Sequence, residues 1–415
     1  MNCPKVLIFA PLCYPPAGSE AIVTSKLVLA MIEAGWQVKV ISQADFGQFY
    51  PVDDNENWRP LLSVVENIAG IDKKSILRRL VGVKLTNKLR TLFWVIKAVR
   101  SGFVALRKAK YDFILSRAAP QYGHFPALIL KGFAKIPWIS NWSDPFPPQK
   151  APPPYGKGIN ARISIFIHLY NYMVSRFADW HIYPSERLMK YYWKMAPEIK
   201  EKSSVIPHIA LRNFCIKETS AENAFTVCHT GSVGNRDLSV FFDGLKRFIN
   251  EAKPSHKFRV IFIGDPIDEI QCKVAHAGIT DLVRVDAPRS YEETQTIAAS
   301  SSVLLVIEAH CEEGIFFPSK FIDFVQTGKP ILAVSPIPGT LHDILSNYGG
   351  GIAVDNRSSD KVFSALKELY SAWEKGTLLK RYGSAKLFDH FSAEYVLPEY
   401  SHIFDKLHKK GKNRS

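Results

Sequence analysis

The sequence predicts an α/β protein built from two Rossmann-like parallel-sheet domains. Short β-branched or aromatic runs alternate with longer helical patterns along the whole chain, which is how strand-helix-strand units read. The chain is 415 residues long, 47% hydrophobic and 22% charged, which suffices for two cored domains and is too apolar for disorder. A polar stretch over 211–224, without periodicity and ending just before a new strand, reads as the linker between them.

The strands follow in order. In the first half they are expected at 5–10, 37–42, 112–116, 136–140, 179–183 and 203–207; in the second at 225–230, 258–264, 282–286, 302–307, 330–335 and 351–355. Residues 1–212 and 225–390 are the two domains. The run Asp144-Pro145-Phe146-Pro147-Pro148, followed by Ala151-Pro152-Pro153-Pro154, interrupts the rhythm, because proline lacks the N–H that a helix or sheet needs. It is expected as a loop at a strand's C-terminal end, the edge of a parallel sheet where ligands bind, or as a stiff surface linker.

The formal charge of +14 is uneven. From Lys73 to Lys110 the basic residues alternate with leucines and aromatics, and the nearest acid is Asp72. Such an amphipathic stretch suits an anionic membrane surface, at about 1 kcal/mol per basic residue near the lipid. It equally suits a core-packing helix with a solvated basic face. No RNA-binding aromatic signature, zinc finger or basic zipper occurs, so nucleic acid is not expected. No apolar run is long enough to span a bilayer, and the six cysteines are scattered without a Cys-x-x-Cys pair. The expectation is a cytoplasmic protein, soluble or peripheral on the inner face of the membrane, without a zinc site or a disulfide framework.

Three segments can carry chemistry. The stretch 313–330 runs through Glu313, Gly314, Pro318, Ser319, Lys320 and Asp323 to Gly328 and Pro330. Pro318 suits a helix's first turn and Gly328 its end, so a short helix would aim unpaired N–H groups and Lys320 at an anion such as a diphosphate. Asp323, on the same helical face, would accept ribose hydroxyls; the same spacing also describes a surface ion pair worth roughly 0.2 to 0.5 kcal/mol. Gly18, in the loop after the first strand, permits close approach of a phosphate or sugar. The loop Thr230 to Arg236 occupies the equivalent place in the second half, where Gly231 and Arg236 would clasp a diphosphate or form a plain strand-to-helix turn. Neither loop is a Gly-x-Gly-x-x-Gly fingerprint or a Walker motif.

The order of these pieces resembles the retaining, metal-independent glycosyltransferases of the GT-B fold, the group-1 or family 4 class, in its polysaccharide-assembly branch. Gly18 falls in that family's glycine-bearing first loop, and Trp138 to Phe146 is similar to its Pro-x-Ile-x-x-x-x-Asp-Pro stretch. Ala178-Asp179 with Val205-Ile206-Pro207 matches its end-of-domain pattern. Gly231 and Arg236 match its first phosphate loop, Gly264 the glycine closing its second donor-domain strand, and Pro318-Ser319-Lys320 with Asp323 its donor-site helix. Residues 391–415 resemble the helix that crosses back to the first domain.

The resemblance implies two domains facing a cleft, a nucleotide diphosphate sugar as donor, a glycan or lipid-linked acceptor, and no cofactor or metal. It implies Arg236 and Lys320 on the departing diphosphate, Asp323 on the ribose, Arg289 near the base, and Asp144 on the acceptor side. The donor set is Gly18, Gly231, Arg236, Gly264, Arg289, Glu313, Gly314, Ser319, Lys320 and Asp323. The sequence departs from the family where its second acid is Asp323 and Glu313 lies two residues too far upstream. Ser232 replaces the first of the paired basic residues, and Ser143 a frequent histidine. Two other readings share these residues: a nucleotide-sugar 2-epimerase of the same fold using Asp144, His124 and Glu313, and a non-catalytic partner subunit that binds nucleotide sugar or lipid.

Overall fold

The structure is a computed structural model that describes residues 3–14, 18–44, 55–69, 76–217, 224–234, 236–254 and 258–412; of these, the side chains at 76–81, 83, 84 and 410–412 lie outside the description. Lys73, Lys74, Arg78, Arg79 and Lys84 of the basic stretch, Asn235 of the second glycine loop and 218–223 of the linker therefore lie outside what is described. The chain divides into two compact units. The first is Met1–Ala151, Ile159–Ile209 and Val396–Ser415; the second is Pro152–Gly158 and Ala210–Tyr395.

The first unit runs β1 (Lys5–Phe9), α1 (Ser19–Glu33), β2 (Gln37–Gln43), β3 (Val65–Ile68), α2 (Ile76–Lys108), β4 (Phe113–Ala118), α3 (His124–Phe133), β5 (Trp138–Trp142), α4 (Ile165–Phe177), β6 (Trp180–Tyr183), α5 (Glu186–Met195) and β7 (Ser203–Val205). Its seven strands are all parallel, in the order β3-β2-β1-β4-β5-β6-β7. Six of them fall within two residues of the expected positions. The seventh, β3, was not expected: it is an edge strand of four residues reading VENI, too short and too polar to announce itself.

The second unit runs β8 (Phe225–Thr230), α6 (Ser239–Ala252), β9 (Phe258–Ile263), α7 (Ile267–Ala277), β10 (Val283–Asp286), α8 (Tyr291–Ser300), β11 (Val303–Ile307), α9 (Ser319–Val325), β12 (Ile331–Ser335), α10 (Thr340–Tyr348), β13 (Gly351–Asp355), α11 (Ser359–Glu374), α12 (Leu378–Tyr382), α13 (Ala385–Phe391) and α14 (Ala393–Lys412). The last helix begins in the second unit and, from Val396 on, belongs to the first. Six parallel strands lie in the order β10-β9-β8-β11-β12-β13. Every residue of β8 and of β11 is buried, as expected of central parallel strands covered on both faces.

In both sheets the order reverses between the first strand and the fourth or its counterpart: β1 and β4 in one, β8 and β11 in the other. Loops leaving two such neighbours turn to opposite faces and open a crevice at the carboxyl edge, so topology alone selects where a ligand sits in each unit. The loops after β8 and β11 are the Gly231 loop and the segment leading to Lys320.

Helix α2, the described part of the basic stretch, packs on its sheet through Trp94, Val95, Ala98, Gly102 and Ala105, at helical spacing. A Cβ on Gly102 would stand 2.8 Å from both Phe9 and Leu130, so the glycine sets how closely the helix approaches. Gly82 interrupts the helix with φ 77. Among the described residues no helix is long and apolar enough to cross a membrane.

Candidate donor site

The site begins with two glycines. Gly231 follows β8 with φ +79, and its N–H donates to the Ile263 carbonyl at 2.7 Å. Gly264 closes β9 with φ +150, and a Cβ there would lie 2.4 Å from the Gly231 oxygen. The two loops thus pack backbone to backbone, which leaves the Gly231 peptide without side-chain cover. The Val233 N–H adds a 3.2 Å bond to the Asp265 carbonyl.

Arg236 curls back under this loop. Its Nη1 donates to the Ser232 carbonyl at 2.9 Å and the Val233 carbonyl at 3.1 Å, while its Nε is buried without a hydrogen-bond partner. Lys320, the second residue of α9, reaches the same loop from the other side of the switch point. Its Nζ would lie 3.6 Å from a Cβ placed on Gly231.

What aims Lys320 is a residue the sequence reading passed over. His229, buried in β8, holds its Nδ1 2.9 Å from the Leu305 carbonyl and its Nε2 3.2 Å from Lys320 Nζ. A carbonyl only accepts, so Nδ1 carries the hydrogen and Nε2 presents its lone pair to the lysine. Burial, then the Lys320 and Arg236 cations, hold the imidazole pKa well below its usual value, which keeps it a neutral acceptor. Burial lowers the Lys320 pKa well below that of a free lysine, and Arg236 pushes the same way against the opposing pull of Asp323. The one cue in the sequence was a histidine inside a strand, immediately before Thr230-Gly231.

A second unanticipated residue is Glu308, at the end of β11. It is buried, its Oε2 has no hydrogen-bond partner, and burial raises its pKa to about 8 against the opposing effect of Arg236. The peptide beneath it is stapled: Asn356 Nδ2 donates to the Glu308 and Ala309 carbonyls at 3.0 and 3.1 Å, and Arg357 Nη2 to the Cys311 carbonyl at 2.6 Å. Tyr155, from the proline-rich run, belongs to this unit, with its ring 4.5 Å from that of Phe316. Burial raises its pKa, Arg236 opposes, and Glu308 adds to the rise.

Glu308 makes stability depend on pH with a definite sign. The folded state holds its proton more tightly than the unfolded chain does, so stability present below about pH 4.5 is lost as pH rises towards about 8. Glu308→Gln removes that component. The stability difference between variant and native chain, followed by denaturant unfolding, is expected to move in the variant's favour across this window and to level off above it. A difference independent of pH would show that the carboxyl is not buried as described.

The other donor-side candidates fall around this centre. Asp323 accepts a 2.7 Å bond from the Tyr291 hydroxyl, which in turn accepts from Gln326 Nε2 at 3.2 Å, so the carboxylate is fixed by a buried relay. Gly314 is pinned by its N–H to the Pro338 carbonyl at 3.0 Å, and its own carbonyl accepts from the Thr340 N–H at 2.8 Å. Glu313 precedes it, half-buried, and Ser319 opens α9. With seven residues, α9 offers little helix dipole, and the positive charge at its start is that of Lys320. Arg289 lies beyond edge strand β10, bound to Asp286 at 3.0 Å beside Arg284.

Gly18 and Asp144 belong to the first unit. Gly18 precedes α1 with φ 136. Near it, Glu20 accepts from Ser143 Oγ at 3.1 Å and lies 3.7 Å from the buried Arg117 guanidinium. Burial raises the Glu20 pKa to about 7, with Arg117 opposing and Asp144 adding. Desolvation also raises the Asp144 pKa, and its carbonyl accepts from the Tyr192 hydroxyl at 2.9 Å. His124 is not in this group: it is fully buried, with its Nδ1 2.7 Å from Ser116 Oγ, and burial lowers its pKa to about 3.

No protein-family model and no curated protein matches the sequence. Solved structures do match along nearly the whole chain. A glycosyltransferase from Rickettsia africae ESF-5 superposes with a TM-score of 0.67 at 11% identity, covering 99% of this chain and 100% of that one. The catalytic domain of starch synthase IV from Arabidopsis thaliana, bound to ADP and acarbose, gives 0.66 at 13% identity, covering 98% and 99%. A UDP-N-acetylglucosamine 2-epimerase from Listeria monocytogenes, itself described as putative, gives 0.57 at 11%, covering 96% and 95%. Likenesses at this identity establish the fold: two Rossmann-like units of the kind found in GT-B glycosyltransferases.

Proposed function

We propose that this protein transfers a sugar from a nucleoside diphosphate sugar to a glycan acceptor carried on a membrane lipid, with retention of configuration and without a metal ion. The observation that carries the reading is the pair of cations at the β8 and β11 switch point. Burial, and then Arg236, raise the cost of ionising Lys320, and the hydrogen bonds of both residues go to neutral acceptors, the His229 ring and two carbonyls. A diphosphate supplies the missing negative charge, beside a glycine loop open enough to admit it.

In this reading Lys320 and Arg236 stabilise the diphosphate as the glycosidic bond breaks, and Gly231 and Gly264 let the phosphates approach the backbone. Asp323, held in place by the Tyr291 hydroxyl, accepts from the ribose hydroxyls. Gly314, Glu313 and Ser319 border the sugar, Gly18 the donor and Arg289 the base, and Asp144 serves the acceptor. Front-face displacement lets the departing phosphate oxygen take the acceptor's proton, so no separate base is needed.

The test is transfer or donor hydrolysis by purified protein across UDP-, GDP- and dTDP-sugars, with and without acceptor glycans. Sugar release dependent on acceptor is expected. Epimerisation without acceptor would favour the 2-epimerase reading, which the epimerase-like structures suggest and the buried, neutral His124 disfavours. Tight nucleotide binding without turnover would favour a binding subunit.

A further inference from the structure

We infer that α3 and α4, together with the outer face of α2, form a docking surface for an anionic lipid bilayer, into which the aromatic residues of α4 insert. This deepens the membrane contact of the proposed function, on which it rests for its purpose though not for its measurement, and moves its centre from the basic stretch to a helix whose sequence drew no attention.

Helix α4 carries apolar residues on the side away from the core. Phe166 is 81% exposed and Ile165 71%, with Leu169 and Tyr172 continuing the exposed stripe at helical spacing. The neighbouring helix α3 does the same with Phe125, Ile129 and Phe133, the last 77% exposed. Ring contacts join the faces: Phe125 to Tyr170 of α4 at 4.4 Å, and Phe133 to Phe103 of α2 at 5.6 Å. Single exposed apolar residues are ordinary on any surface; stripes running across adjacent helices are not.

Charge decides what covers them. No Asp or Glu occurs in α2, α3 or α4, while Arg100, Arg107, Arg162 and Arg176 stand exposed on or beside them. A second copy of the chain laid face to face would bring arginine against arginine, and the three helices themselves offer no carboxylate to pair them. Lipid phosphates complement the arginines, and the aliphatic stems of those side chains allow the apolar rings to sink past them. Phe and Tyr rings at the rim of a basic face suit the boundary between headgroups and acyl chains.

The experiment is co-sedimentation of the full-length protein with vesicles made of equal parts phosphatidylcholine and phosphatidylglycerol, with no nucleotide sugar present. The native chain is expected to bind these vesicles, to bind pure phosphatidylcholine at least about tenfold more weakly, and to be released by salt. Ile165→Glu with Phe166→Glu should reduce partitioning at least about tenfold, and Ile165→Leu with Phe166→Leu should retain most of it. Both residues are exposed, and thermal melting checks that the variants fold. Unchanged binding by the glutamate variant overturns the proposal, as does failure of the native chain to bind. A dimer that the glutamate variant dissociates, without vesicle binding, assigns the face to a second copy and also overturns it. UDP binding, measured separately, reports on the donor site alone, so either reading can fail while the other stands.

Discussion

Lys320→Ala and Arg236→Ala are each expected to lower donor turnover about a hundredfold to a thousandfold, the usual cost of removing one charge stabiliser from a desolvated site. Folding should be little affected. Lys320 is charged against burial and the Arg236 cation, and the buried Arg236 Nε has no hydrogen-bond partner, so removing either group relieves the apo protein while depriving the transition state. The loss should fall on kcat more than on KM if the charge acts chiefly on the departing diphosphate. Lys320→Arg is not expected to restore activity, because a planar guanidinium cannot occupy the position of Nζ 3.2 Å from His229 Nε2 without displacing the ring. Full activity in both alanine variants, read by steady-state kinetics with the preferred sugar nucleotide, would remove the diphosphate from this site.

Gly264→Ala is expected to have the largest structural effect for the smallest chemical change. A methyl group 2.4 Å from the Gly231 oxygen must move that peptide, and φ +150 is strained for any residue with a side chain. Strain and overpacking together should cost of the order of 3 kcal/mol in the second unit and displace the phosphate loop, so nucleotide affinity falls as well. Gly278→Ala is the control: φ +67 is strained too, but no atom lies within 4 Å of its Cβ. Its cost should be about 1 kcal/mol, with nucleotide binding intact. Equal effects in the two variants, by denaturant unfolding and nucleotide titration, would show that backbone strain alone matters and that the contact between the loops does not.

The fold was legible because central parallel strands leave a strong mark. β11 and β12 are nearly unbroken apolar runs, and a helix-length pattern precedes β11. The edge strand β3 was not, because a strand paired on one side only has no need of such a pattern. The sequence singles out Lys320 through Pro318, Gly328 and the order of motifs, and Gly264 through the family resemblance.

Which groups meet was decided only by the tertiary structure. His229 and Lys320 are distant in sequence, and it is the adjacency of β8 and β11 that places the imidazole lone pair under the amine, beside Gly231. Glu308 follows a strand in the sequence, and it is packing that buries it near Arg236, with its peptide held by Asn356 from the end of β13. The basic stretch announced itself by composition, whereas only the folded position of α4 shows that Phe166 faces outward. Local sequence sets which conformations and side chains are available, because propensity and periodicity are short-range. Burial, and with it charge state and contact, depends on neighbours that strand order supplies from far along the chain.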